Sequence, residues 1–191
     1  MSRLEGNIIA EEREMKFVVV GDDSSGKTSF INACVGEAFS VPNRTQLIDY
    51  KSVSFKWGNK ILRMNFWDTP RLMNGFGPTP YYRGADGIFL IVDGTTVFDE
   101  RKTNDIINSI RRDNPNPMLP IAVVVTKLDL KPSKRSCVDY ALRCKFPTYH
   151  ISAKNNVGID ETLLSFVELS LKKSFEQPVD VAQTKNKERC Q

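Results

Sequence analysis

The chain has 191 residues, enough to bury one proper core and too few for two large domains. Its formal charge of +4 is modest, and no basic stripe interleaved with aromatic residues runs along it, so nucleic acid is not an expected partner. The longest apolar runs, Phe17 to Val20, Ile88 to Val92 and Ile121 to Val125, fall far short of a bilayer's thickness, and the acidic start lacks the features of a secretion signal, so a cytoplasmic protein is expected.

In chain order, short β-rich runs alternate with segments of helical period, the pattern of βα units around a mostly parallel sheet. Strands are predicted at Lys16 to Val20, Ile88 to Asp93, Ile121 to Thr126 and Thr148 to Ile151. Helices are predicted at Gly26 to Val35, Asp99 to Arg112, Ser136 to Cys144 and Asp160 to Lys173. Between Ile48 and Asp68, two alternating runs flank the turn Trp57-Gly58-Asn59-Lys60, which predicts an antiparallel hairpin. The expected fold is a single α/β domain over 15 to 175 with a six-stranded, mostly parallel sheet, one antiparallel edge strand and about five flanking helices. Residues 1 to 14 and 176 to 191 are polar and aperiodic and are expected to be flexible extensions. Cys34, Cys137, Cys144 and Cys190 have no metal-ligand spacing and read as reduced thiols.

Gly21-Asp22-Asp23-Ser24-Ser25-Gly26-Lys27-Thr28 fits G-x-x-x-x-G-K-[ST] between a predicted strand and a predicted helix. A polyphosphate needs many donors close together. This segment offers the backbone N–H groups of Asp23 to Ser29, the positive end of a helix, the Lys27 ammonium and a Thr28 hydroxyl for magnesium.

Two later loops name the base. Thr126-Lys127-Leu128-Asp129 leaves the strand Ile121 to Val125, and the Asp129 carboxylate can accept from both N1 and N2 of guanine, a donor pair that adenine lacks. Ser152-Ala153-Lys154 leaves the strand ending at Ile151, where a backbone N–H can meet guanine O6.

On these motifs the chain resembles a Ras-superfamily small GTPase from Lys16 to about Lys173. Trp67-Asp68-Thr69 and Tyr81-Tyr82-Arg83-Gly84-Ala85 are similar to the Rab branch in particular. The resemblance implies GTP or GDP with Mg²⁺ as ligands, and protein effectors, with exchange or activating factors, as partners. It implies that Phe39 packs edge-on against guanine, that Thr45 ligates magnesium from the first switch segment, and that Asp68 holds magnesium through water. Thr126 stands where the family more often has Asn; its hydroxyl can still brace the phosphate loop.

The chain then departs from the pattern. Where the family has D-T-A-G-Q, this chain has Asp68-Thr69-Pro70-Arg71-Leu72. Arg71 replaces a glycine that offers its N–H to the γ-phosphate and pivots between states, and Pro70 stiffens the turn. Leu72 replaces the glutamine that orients the attacking water, so no catalytic residue is assigned. Asp23 brings a carboxylate to a place where the family keeps a small residue near the γ-phosphate. Slow hydrolysis is expected. The alternative is a hydrolysis-deficient, nucleotide-bound scaffold. A P-loop kinase is a weaker third reading, because the base loops read guanine.

By the same resemblance, Tyr50, Trp67 and Tyr81 hold the places of an aromatic effector triad. At the tail, Cys190 is penultimate, whereas Rab-branch proteins usually end in two cysteines. The expectation leans against prenylation, with attachment to the cytosolic face of endomembranes only if Cys190 is lipidated.

Overall fold

The computed structural model describes residues 12–40, 49–58, 60–69, 80–131 and 136–175. In chain order these form β1 (Glu12–Gly21), α1 (Lys27–Cys34), β2 (Asp49–Trp57), β3 (Lys60–Asp68), a one-turn 3₁₀ helix (Pro80–Tyr82), β4 (Gly87–Asp93), α2 (Glu100–Asp113), β5 (Ile121–Thr126), α3 (Ser136–Arg143), β6 (Thr148–His150) and α4 (Ile159–Phe175). The strand order is β2-β3-β1-β4-β5-β6. Among the six described strands, β2 runs antiparallel to its neighbour β3 and the other strand pairings are parallel. The expected six-stranded sheet with an antiparallel edge is therefore present. Among the described residues it is flanked by four α-helices besides the 3₁₀ turn, against the expected five or so.

The alternation of β1 divides the interior in two. Met15, Phe17 and Val19 face a core shared with α1 and α4, and Val18 and Val20 face one shared with α2 and α3. The first core is aromatic, with Phe17, Phe89 and Phe166 packed around one another and the Phe89 and Phe166 rings 4.6 Å apart. In α2, Thr103, Ile107 and Ile110 recur at helical spacing on the buried side, and Asp99 caps the N-terminus by accepting the Lys102 N–H at 3.1 Å.

β1 starts at Glu12, four residues before its predicted start, so residues 12–14 are strand and do not belong to an extension. Glu12, Arg13 and Glu14 carry no apolar alternation, yet β3 is nine residues long and pairs with them from Ile61 to Arg63. The side chains of Glu12 and Glu14 lie by Arg63 at 3.7 Å, where the sheet is open to solvent.

Sheet order reverses at β1. β1 has β3 on one side and β4 on the other, which leaves a crevice at the carboxyl ends of the strands, where ligands bind in folds of this kind. The loops after β1, β5 and β6 all open there.

Candidate nucleotide-binding site

The loop after β1 turns sharply because Gly21 has φ +150°, and a Cβ there would meet the Ile91 carbonyl oxygen at 2.3 Å. Its turn is closed by Ser25 N donating to Asp22 O at 3.3 Å. Gly26, left-handed at φ 98°, starts α1, so the unpaired N–H groups of the first turn face the loop. Asp22, Asp23 and Ser24 are exposed, Ser25 and Lys27 are buried, and Thr28 and Ser29 are half-buried. Ser24 is left-handed at φ 56°, a conformation that favours glycine.

The Lys27 ammonium folds back onto the loop, donating to Asp22 O at 2.8 Å and Gly21 O at 3.1 Å. Burial pulls its pKa below the ordinary lysine value, against the opposing pull of Asp68, Asp23 and Asp22. The carboxylate of Asp23, although exposed, is thus felt at Lys27.

Thr28 Oγ1 donates to Asp68 Oδ2 at 2.5 Å, which joins the start of α1 to the end of β3. Thr69, the next residue, is buried and donates through Oγ1 to Val19 O at 2.8 Å. That bond ties the residue after β3 to β1. No group of three or more His, Cys, Asp or Glu among the described residues could hold a metal alone. The pair Thr28 and Asp68 is an all-oxygen donor set, which suits a magnesium ion that draws its remaining ligands from phosphate and water.

Across the crevice, β5 ends in Thr126, whose Oγ1 donates to Ser25 O at 2.6 Å, with Val92 O at 3.2 Å. The loop beyond turns through Lys127, left-handed at φ 62°, and is tied to the end of β6 by Leu128 N donating to Ile151 O at 3.0 Å. Asp129 is exposed, and its Oδ1 accepts from Ser152 Oγ at 2.6 Å. That hydrogen bond is the chief reason its carboxyl lies below the ordinary range. Mutual bonds between Ser152 and Val157 close residues 153–156 into a tight loop, with Ala153 half-buried and Lys154 exposed. One carboxylate and one loop of N–H groups are thereby held side by side.

Phe39 follows α1 and is 44% exposed. Thr45, Arg71, Leu72 and Cys190 lie outside the described residues. Of the aromatic trio, the structure joins Tyr50 and Trp67 edge to face, with ring centroids 5.8 Å apart, and sets Tyr81 on the 3₁₀ turn. Tyr50 is 51% exposed, and its hydroxyl donates to Asn65 Oδ1 at 2.7 Å. The Lys16 ammonium lies 4.7 Å from the centre of the Trp67 ring and donates to Arg83 O at 2.9 Å.

Sequence reasoning missed Asp93. At the end of β4, its Oδ2 accepts from Lys127 Nζ at 2.5 Å and its Oδ1 accepts from Thr95 N at 2.8 Å and Thr95 Oγ1 at 2.6 Å. A carboxylate closing the strand next to β5, with Gly94-Thr95 after it, was the available signal. Lys16 and Asn65 were missed for want of any such signal.

The Ras family profile matches residues 16–172. The chain is 28% identical over 188 residues to the Ras-related protein RabF1 of Dictyostelium discoideum, covering 94% of this chain and 96% of that protein. It is 31% identical over 164 residues to the GTP-binding protein yptV2 of Volvox carteri, covering 79% and 72%. It is 24% identical over 187 residues to the Ras-related protein Rab7 of Pisum sativum, covering 89% and 88%. With the family profile matched over most of its length, these Rab-named relatives and this sheet order, the chain belongs to the Ras family, as a Rab-like small GTPase.

Proposed function

We propose that this protein is a guanine-nucleotide switch of the Rab kind that binds Mg²⁺ with GTP or GDP, hydrolyses GTP slowly, and serves intracellular membrane traffic. The nucleotide reading is carried by one observation: Thr126 and Thr28 tie the base loop and the magnesium-side carboxylate Asp68 to a single phosphate loop. Asp23 to Ser29 and Lys27 receive the phosphates. Phe39, Thr126, Lys127, Asp129 and the loop Ser152 to Lys154 receive the guanosine. Thr28, Thr45 and Asp68 serve the metal, which when bound would neutralise charge on the β- and γ-phosphates.

Slow hydrolysis rests on Leu72 and Arg71, which offer neither a water-orienting amide nor a free pivot, and on Asp23, whose charge opposes a γ-phosphate. Partners are effectors that dock on Tyr50, Trp67 and Tyr81, together with exchange or activating factors. The protein acts in the cytoplasm, and at the cytosolic face of endomembranes if Cys190 is lipidated. Among the described residues no helix is long and apolar enough to cross a membrane.

The test is chromatography of the nucleotide released on denaturing freshly purified protein, paired with single-turnover GTP hydrolysis. Guanine nucleotide in the eluate and a rate well below that of a small GTPase with an intact glutamine are the expected results. Adenine nucleotide, or none, sinks the base reading; a rate equal to the intact enzyme's sinks slow hydrolysis. GTP carried through purification would favour the scaffold reading.

A further inference from the structure

We propose that Asp93 is a positioning residue for nucleotide retention: its carboxylate anchors the Lys127 ammonium and, through it, the left-handed turn that presents Asp129 to the base. The assignment rests on the guanine-nucleotide reading above and adds a residue to it.

Four observations carry it. First, Asp93 and Thr126 are register partners at the ends of β4 and β5, so the carboxylate stands beside the strand end from which Lys127 emerges. Second, both carboxylate oxygens are engaged: Thr95 N and Oγ1 fix Oδ1, and Lys127 Nζ takes Oδ2 at 2.5 Å, with only 12% of the Asp93 side chain and 33% of the Lys127 side chain exposed. A carboxylate immobilised by a turn is a rigid anchor, unlike a surface ion pair in which both partners wander. Third, the backbone next to it is locked in the same way. Gly94 N donates to Thr126 O at 3.1 Å, and a Cβ on Gly94 would stand 2.6 Å from that oxygen, so no larger residue fits without moving β5. Fourth, Lys127 holds φ 62° without being glycine, a conformation that needs support from its surroundings.

Asp129 is only two residues further on, exposed, and held by Ser152 through one oxygen. Its aim toward the base therefore depends on the turn at Lys127. Tethering the lysine at its tip removes rotamer freedom that would otherwise be lost on binding, so the anchor prepares the loop in advance. The direction of the Asp93 titration agrees: burial raises its pKa, but the bonds from Lys127 and Thr95 outweigh burial and leave it below the ordinary carboxylate value.

The experiment is release of a fluorescent mant-GDP from the full chain, in magnesium and chased with excess GDP, for the wild type, Asp93→Asn, Lys127→Met and the double variant. Asp93→Asn keeps an acceptor for Thr95 but loses the charge facing Lys127. It should speed release about tenfold in the wild-type background and change nothing further in Lys127→Met, where no ammonium remains to be held. Equal acceleration in both backgrounds, or none in either, overturns the assignment. If Asp93→Asn does not fold, Thr95→Ala gives the same cycle at smaller amplitude, about twofold in the wild-type background alone; no change there also overturns it. A wild-type chain that takes up no mant-GDP sinks the nucleotide reading itself. One that holds it firmly while Asp93→Asn leaves release unchanged, or speeds it equally with and without Lys127, sinks only the role of Asp93.

Discussion

The hydroxyl of Thr126 reaches the carbonyl oxygen of Ser25 across 101 positions of sequence, at 2.6 Å and fully buried. Through it, the end of β5 and the phosphate loop share one hydrogen bond. Thr126→Val removes the donor, keeps the shape and strands a buried carbonyl. We expect GDP release to rise about tenfold, the equivalent of roughly 1–2 kcal/mol. Thr126→Asn, the family's commoner residue, should release GDP at nearly the wild-type rate. Stopped-flow release of mant-GDP checks both, and equal rates in all three proteins would show that the brace has no influence.

Thr28 and Asp68 make the corresponding prediction for the metal. Chelating magnesium with EDTA should accelerate GDP release by about ten- to a hundredfold, because the oxygen pair then faces the phosphates with no cation between them. Thr28→Ala should reproduce most of that loss with magnesium present. A release rate indifferent to EDTA would rule out this pair as the metal side of the site.

The phosphate loop carries two costs visible in its geometry. Ser24 sits at φ 56°, and Ser25 Oγ is buried with no hydrogen-bond partner among the described residues. Ser24→Gly relieves the first and Ser25→Ala removes the second, and each should stabilise the GDP-bound protein by about 0.5–1 kcal/mol. Chemical denaturation in excess Mg-GDP measures it. A fall in stability for both variants would mean that these serines do something the geometry does not account for.

Leu72→Gln should raise single-turnover GTP hydrolysis at least about tenfold if the missing amide limits the rate. Asp23→Ser, added to it, should raise it again by relieving repulsion of the γ-phosphate. No gain from either change would place the limitation in the backbone around Pro70 and Arg71.

Acid should report on Asp93. Its folded pKa lies below the ordinary carboxylate value, so the folded state binds this proton less readily than the unfolded chain. The stabilisation is therefore present above the unfolded pKa and is lost as pH falls through the folded one. Between about pH 5 and pH 3, the wild type should lose stability more steeply than Asp93→Asn, as read by denaturant midpoints at each pH. Parallel curves would contradict the ion pair.

Much of this was legible in the sequence. Predicted strands at Ile121 to Thr126 and Ile88 to Asp93 fall within a residue of those observed, because a strand buried on both faces is an uninterrupted apolar run ended by polar residues. The Thr126 loop could be located because it lies at the end of such a run, whereas the loop at Ser152 follows the short, half-exposed β6 and was found by its Ser-Ala-Lys motif. The start of β1 was not legible: Glu12, Arg13 and Glu14 are strand only because β3 offers them hydrogen bonds, a fact about the partner and not about those residues. Asp93 and Lys127 are 34 positions apart, and what joins them is the adjacency of β4 and β5, which no local spacing encodes. Lys16 likewise gains its role only when Trp67 and the Arg83 carbonyl are folded over it.

β1 has parallel neighbours along both edges, carries Lys16 under the Trp67 ring, and ends in Gly21 at the head of the phosphate loop. A pull along β1 therefore loads parallel ladders on both of its edges at once. In that direction the ladder bonds on both sides must fail together in shear, whereas a hairpin edge would unzip one bond at a time. The central strand acts as a strut that holds Gly21, at the head of the phosphate loop, in a fixed place against the rest of the sheet.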